Sequence, residues 1–252
     1  MIASPQNPRI KSLLRAVEDR SLFAIEGEKL IADAVQNGFA FEEILHDEDL
    51  KPGRISALSH NRATVVTREV LKRFSQASTP QHVVALARRK DTAAGDIFAR
   101  DGPVVFLEGV QDPGNLGAVA RTLEAVGGAG LLCSPGCADV FHPRALRGSA
   151  GSLLRMPAAG NVDFRLAAEA ARKEGRPVFG TVGRGGSSLF DESLPRDGLF
   201  AFGSEATGLS DSTLAALDRK ITIPMKAPVE SLNVAVAVAI VLYRIGADRP
   251  AQ

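Results

Sequence analysis

Residues 103–122 read PVVFLEGVQDPGNLGAVART. The continuous apolar run Val104 to Leu107 suits a strand buried on both faces of a parallel sheet. A Pro-Gly turn follows, then a helical pattern from Leu116 to Val126. Asn115 stands where that helix starts, so its side chain can either cap free amides or hold a ligand. Arg121 comes six residues later and reads equally as a solvated helix charge or a ligand contact. Outward from this stretch the pattern repeats. Strand candidates lie at 130–133, 177–182, 199–202 and 221–224, and helical stretches at 164–173 and 232–245. Strands alternating with helices predict an α/β fold with a mostly parallel sheet covered on both faces.

Residues 1–90 form a smaller α/β unit of their own. Helical spacing marks 8–17, 28–36 and 69–74, and strand patterns mark 22–26, 43–45, 63–67 and 82–87. Between the two units, residues 91–102 are polar and without a sustained period, which predicts a linker. The division expected is therefore 1–90, a linker at 91–102, and a larger domain over 103–252.

The 252 residues are 45% hydrophobic and 23% charged, ordinary values for a globular chain. Thirty Lys and Arg against 29 Asp and Glu exclude a highly charged disordered protein and a strongly basic nucleic-acid coat. The balance is uneven: residues 1–90 carry 14 basic against 11 acidic groups, and residues 103–252 carry 15 of each. The small basic excess therefore sits in the first unit. Cys133 and Cys137 are too few for a disulfide framework and lack the partners of a zinc site, so no metal is expected. The first residues show no secretory pattern, and the longest apolar run, Val234 to Leu242, is too short to span a bilayer. A cytoplasmic location without membrane contact is the expectation.

Neither a dinucleotide fingerprint after the first strand of the larger domain, nor a Walker loop, nor a His-Glu-x-x-His pair is present. The stretch 183–188, GRGGSS, is glycine-rich but has no phosphate-binding lysine and reads as a loop. Two other segments carry more. In 199–210, LFAFGSEATGLS, an apolar strand delivers Glu205 at its C-terminal end, the edge where open α/β sheets bind ligands. In 221–237, ITIPMKAPVESLNVAVA, a strand and a loop lead into a helix apolar on all sides, with Ser231 and Asn233 at its mouth. Such a helix lies in a core or a subunit interface. Its two polar residues need partners, which a ligand or a capping network would supply equally well.

Taken together, DPGNLGAVART, FGSEATGLS and IPMKAPVESLNVAVA resemble the three motifs of the SpoU-type (TrmH-like) RNA 2′-O-ribose methyltransferases of the SPOUT, or α/β-knot, superfamily. The likeness runs from Pro103 to about Gly246. More loosely, NPRIKSLL and FAIEGEKLIADAVQNG are similar to that family's N-terminal substrate-binding domain, an L30e/L7Ae-like ribosomal-protein fold. The resemblance implies a C-terminal trefoil knot, bound S-adenosylmethionine, and a homodimer that completes the active site. It matches Thr181, Val182, Gly203, Ile223, Met225 and Leu232 to donor-binding positions. It matches Asn115, Arg121, Glu205, Ser231 and Asn233 to the polar catalytic set, with Arg147 a weaker candidate for RNA contact. Ala206 and Lys226-Ala227-Pro228 depart from the pattern and bear on the donor loop.

The implied reaction is methyl transfer to a ribose 2′-hydroxyl of structured RNA, ribosomal RNA first and transfer RNA second. Arginine is a poor proton acceptor. Arg121 is therefore read as orienting the nucleotide phosphate and stabilising the developing alkoxide. Asn115 and Glu205 would position Arg121 and the ribose, while Ser231 and Asn233 order the donor loop. A non-catalytic RNA-binding or ribosome-assembly protein and a small-molecule oxidoreductase are the competing classes. The intact polar set opposes the first and the missing fingerprint the second.

Overall fold

A computed structural model describes residues 1–51, 63–76, 80–90 and 92–246. In chain order the first elements are α1 (Pro8–Glu18), β1 (Leu22–Glu26), α2 (Glu28–Gln36), β2 (Phe41–His46), β3 (Ala63–Val65), α3 (Arg68–Lys72) and β4 (Val83–Arg88). There follow α4 (Ala94–Phe98), β5 (Val104–Glu108), α5 (Pro113–Ala125), β6 (Gly130–Cys133), α6 (Pro143–Gly148), α7 (Ser152–Arg155), β7 (Ala158–Ala159) and α8 (Phe164–Lys173). The chain continues through β8 (Val178–Thr181), β9 (Ser187–Ser188), β10 (Leu199–Gly203), α9 (Asp211–Ala215), β11 (Arg219–Thr222) and α10 (Val234–Gly246). They form two compact units, Met1–Asp91 with Phe141–Arg155, and Thr92–Val140 with Met156–Gln252.

The first unit holds a sheet of order β1-β4-β2-β3, antiparallel except for the parallel β2–β3 pair. α1 starts where Pro8 presets the helical φ and the Asn7 side chain accepts from the Arg9 amide. Its apolar stripe places Ile10 and Leu13 in a core with Leu45, Val70 and Leu86. Residues 141–155, expected in the larger domain, fold with this unit. Phe141 stacks on Phe23 at 4.4 Å between ring centroids. Arg147 Nη1 donates to Glu26 Oε2 at 3.1 Å, and the same buried carboxylate accepts from Ser75 Oγ and the Gln81 amide. Arg147 is thus engaged in an internal ion pair.

In the second unit the sheet order is β7-β6-β5-β10-β8-β11-β9, and every pairing among these strands is parallel. All strand C-termini therefore face one edge. β5 and β10, side by side at the centre, are buried along four of their five residues, as continuous apolar runs require. The expected linker 91–102 is a structured segment from residue 92 onward; residue 91 lies outside the described residues. Helix α4 buries Ile97 and Phe98 in a core with Phe106, Phe164 and Leu199. Arg176, 7% exposed, locks the following turn by donating to the carbonyls of Phe98, Arg100, Gly102 and Asp197. Five residues with only two large apolar side chains leave no periodic trace, which is why the segment reads as a linker. Part of the GRGGSS loop likewise forms β9, paired with β11. Cys133 and Cys137 are both free thiols.

Candidate active site

Four segments meet where β5, β8, β10 and β11 end. After β5, Asp112 caps α5: its Oδ1 accepts from the amides of Gly114 and Asn115. The helix consequently begins at Pro113, three residues before the apolar pattern does. Asn115 is not the cap, and its side chain is released to other work. Glu108 is consumed structurally, accepting from Ser210 N and Oγ and from Thr213 Oγ1, which ties the end of β5 to the start of α9.

At the other helix mouth Asn233 is itself the cap. Its Oδ1 accepts from the amides of Ala235 at 3.0 Å and Val236 at 3.3 Å. Backbone N–H groups only donate, so the Nδ2 end must point away from α10. It donates to Asn115 Oδ1 at 3.0 Å and to Glu205 Oε1 at 3.2 Å. Glu205 Oε1 also accepts from Asn115 Nδ2 at 3.0 Å and from the Val234 amide at 3.2 Å. A carboxylate at a helix N-terminus is favourably placed against the helix dipole. The three side chains form a closed triangle drawn from all three sequence motifs.

Beside the triangle lies a cavity. Thr181 and Val182 line it from the end of β8, Gly203 and Glu205 from β10 and its loop, and Ile223, Met225, Ser231 and Leu232 from the segment joining β11 to α10. All six residues matched to donor binding thus face one space. Thr181 Oγ1 is buried without a hydrogen-bond partner among the described residues. A buried hydroxyl in that state is costly unless a ligand satisfies it. Gly203 lets its own turn close tightly, since a Cβ there would lie 2.0 Å from Gly208 C and 2.2 Å from Gly208 O. The departure at Ala206 falls on an exposed position of this turn.

Arg121 is the exception. It lies about 240° around α5 from Asn115, exposed and outside the residues lining the cavity. It makes no hydrogen bond or ion pair with the described residues. Ser204 and Glu230 also line the cavity without being singled out from sequence, and Gly183, which the sequence marks only as the start of a glycine-rich loop, lines it too. Only their place next to the motifs could have marked them.

The profile of the SpoU rRNA Methylase family matches residues 102–243, and that of the MRM3-like substrate binding domain matches residues 7–85. The chain is 28% identical to the 23S rRNA (guanosine(2553)-2′-O)-methyltransferase RlmP of Bacillus subtilis, over 97% of this chain and 98% of that protein. It is 32% identical to an uncharacterized tRNA/rRNA methyltransferase of Synechocystis, covering 96% and 92%. Among solved structures, the SpoU methyltransferase AviRb from Streptomyces viridochromogenes in complex with AdoMet superposes with a TM-score of 0.86 at 26% identity, covering 96% of this chain and 98% of that one.

Proposed function

This chain belongs to the SpoU rRNA Methylase family, and on that premise we propose that it transfers a methyl group from S-adenosylmethionine to a ribose 2′-hydroxyl of structured ribosomal RNA. The observation that carries the reading is the cavity at the C-terminal sheet edge. Its buried, partnerless Thr181 hydroxyl fits a polar ligand that supplies the missing hydrogen bond. Thr181, Val182, Gly203, Ile223, Met225 and Leu232 would hold the donor, which when bound supplies an electrophilic methyl on a sulfonium.

The chain's own groups then do three things. The apolar wall of Ile223, Met225 and Leu232 excludes water from the methyl. The Asn115–Glu205–Asn233 triangle fixes the mouth of the cavity, so the ribose meets a preorganised rim rather than mobile side chains. Ser231, which lines the cavity, steadies the donor loop, and Arg121 binds the nucleotide phosphate and stabilises the alkoxide as the 2′-hydroxyl loses its proton.

Arg121 lies off the cavity of its own chain, so a second copy of the chain brings an Arg121 to each site in this reading. The surface of α10 supports such a homodimer. Val234, Val238, Val241 and Leu242 are buried within the chain, while Val236 and Tyr243 remain about half exposed on an otherwise apolar helix. The knotted crossing of the C-terminal segment, the L7Ae-like character of residues 1–90, their role in gripping RNA and a cytoplasmic location belong to the same proposal. No described helix is long and apolar enough to cross a membrane.

The test is radiolabelled methyl transfer from S-adenosylmethionine to separate ribosomal and transfer RNA pools, followed by mapping of 2′-O-methyl stops. Labelled ribosomal RNA with a 2′-O stop supports the reading. Label confined to transfer RNA moves the substrate, and no label in either pool overturns the activity.

A further inference from the structure

We propose that Cys137 and Cys133 are a peroxide-sensitive pair that closes to a disulfide and thereby loosens the segment leading to Asn115; the effect on methyl transfer rests on the proposed function above. The pair lies at the end of β6, wholly within the second unit. Cys133 is the last residue of β6, 1% exposed, and its neighbour across the sheet is Leu107 of β5. Residues 134–137 then turn back, the Cys137 amide donating to Ser134 O at 3.3 Å. The turn returns Cys137 Sγ to the same place. It lies 3.3 Å from Leu107 O, and the Cys133 thiol is hydrogen-bonded to it.

The two sulfurs are not equivalent. Cys137 Sγ accepts from the Val110 amide at 3.3 Å and lies 3.6 Å from Ser134 Oγ. The Cys133 bond, with help from Ser134 and backbone amides, outweighs burial and lowers the Cys137 thiol from its ordinary 9.0 to about 6. Cys133 moves the other way: its bond to Cys137, its burial and the charges of Cys137 and Asp139 push it well above 9.0. Cys137 is thus the thiolate, half-buried and preceded by the exposed Pro135 and Gly136, and Cys133 is the protonated thiol held against it. A reachable thiolate beside a second thiol is the arrangement of a sensor cysteine and its resolving partner.

The oxidant is hydrogen peroxide. Cys137 Sγ attacks one peroxide oxygen, the O–O bond breaks, the sulfur is oxidised to a sulfenic acid, and the leaving hydroxide takes a proton to become water. Cys133 Sγ then attacks Cys137 Sγ, its proton passing to the departing hydroxyl. The S–O bond breaks, the S–S bond forms and a second water leaves. Two thiols and one peroxide give one disulfide and two waters. The turn at 134–138 is also what holds the segment after β5. Ser134 N donates to Leu107 O at 2.9 Å, Gly109 N to Ser134 Oγ at 3.1 Å and Ala138 N to Val110 O at 2.8 Å. A disulfide sulfur carries neither the charge nor the proton through which Cys137 engages Val110 N and Leu107 O. Two residues beyond Val110, Asp112 caps α5, and Asn115 on its first turn is a corner of the triangle.

The test treats reduced full-length protein with hydrogen peroxide and reads peptide masses, amide hydrogen exchange and methyl transfer. The peptide carrying both cysteines should lose two hydrogens. Exchange over residues 107–112 should quicken. Methyl transfer should fall by as much as about 10²-fold, the scale for shifting reacting groups by about 1 Å. Dithiothreitol should reverse all three. Cys137→Ser should keep methyl transfer and lose the peroxide response, and Cys133→Ser should stop at a sulfenic acid that dimedone traps. No link between the two cysteines, a loss that dithiothreitol does not reverse, or a link that leaves exchange or methyl transfer unchanged overturns the inference while the methyltransferase reading stands. If the link forms and exchange quickens but the reduced protein transfers no methyl group, the methyltransferase reading falls and the redox pair remains.

Discussion

Asn115 Nδ2 donates to Glu205 Oε1 at 3.0 Å, across 90 residues of chain. Asn115 is on the first turn of α5, Glu205 in the turn after β10, and Asn233, which bonds to both, caps α10. The triangle is the means by which three separate loops acquire one geometry. Asn115 spends both of its polar side-chain atoms on the other two corners, so removing one corner loosens the others.

The energies of the triangle should therefore not add. Asn115→Ala and Asn233→Ala, singly and together, should show a coupling of roughly 0.5–3 kcal/mol in kcat/KM, as contacting polar residues do. Asn233→Ala should also cost about 1 kcal/mol of stability, because the cap of α10 is lost, whereas Asn115→Ala should not, since Asp112 caps α5. Strict additivity in a double-mutant cycle on single-turnover methyl transfer would show that the hydrogen bonds do not act as a unit.

Arg121→Ala removes an exposed side chain, so stability should change by no more than about 0.5 kcal/mol. Methyl transfer should fall by roughly 10²- to 10³-fold, the scale for losing one oriented donor to a developing oxyanion. Donor affinity by calorimetry should be unchanged. In the proposed homodimer, mixing Arg121→Ala with Glu205→Ala subunits should restore part of the activity, because one site in each mixed dimer would have an intact Glu205 and an intact Arg121 from the other chain. Activity no higher than that of the two variants measured apart would place Arg121 in the service of its own chain.

Gly203→Ala should be harmful for a reason local to the backbone. The new Cβ would sit 2.0 Å from Gly208 C, and main chain cannot rotate away as a side chain can. Opening the turn should cost roughly 1–3 kcal/mol and weaken donor binding. Gly183→Ala is the matched control in the same cavity. Its nearest atom is Glu230 O at 3.8 Å, an ordinary contact, so melting temperature and donor affinity should stay close to wild type. Equal effects of the two substitutions would contradict this account.

The parallel sheet was legible because strands buried on both faces are written as unbroken apolar runs, and Val104–Leu107 and Leu199–Phe202 are such runs. Asn115, Glu205 and Asn233, which the structure brings together, were each marked by a motif, whereas Arg121 from the same first motif lies apart from them. What could not be read depends on distant partners. Asn115 looks like a cap until the Asp112 side chain is seen to occupy that role. Residues 141–155 join the first unit through Glu26–Arg147 and Phe23–Phe141, contacts more than 100 residues apart in sequence that leave no periodic signal.

Asp47 in the first unit makes a prediction for acid. It is 4% exposed, and burial, its largest influence, raises its pKa. The His82 bond and charge, the Arg68 bond and the Asp49 amide together outweigh burial and hold the carboxyl below its ordinary 3.8. The unfolded chain therefore takes up this proton first as pH falls. The contribution is complete above about pH 4 and is lost as pH drops through the lower, folded value. Asp47→Asn should flatten stability against pH in that window and lower stability at neutral pH by about 1–3 kcal/mol. Urea unfolding between pH 3 and 7 reads both, and parallel acid limbs for variant and wild type would count against the assignment.

Arg176 offers the strictest test of whether residues 92–102 are structural. Its guanidinium donates to four backbone carbonyls, three of them between Phe98 and Gly102, and the side chain is nearly inaccessible. Arg176→Met preserves much of the buried stem while removing every donor. The stranded carbonyls should cost roughly 2–4 kcal/mol, because a buried acceptor without a partner forfeits its solvation. Loss should appear in chemical denaturation and as faster proteolysis between Ala94 and Gly102, since α4 is no longer anchored at its C-terminal end. A true linker would show neither: stability within about 0.5 kcal/mol of wild type and an unaltered cleavage rate would mean that the segment merely connects.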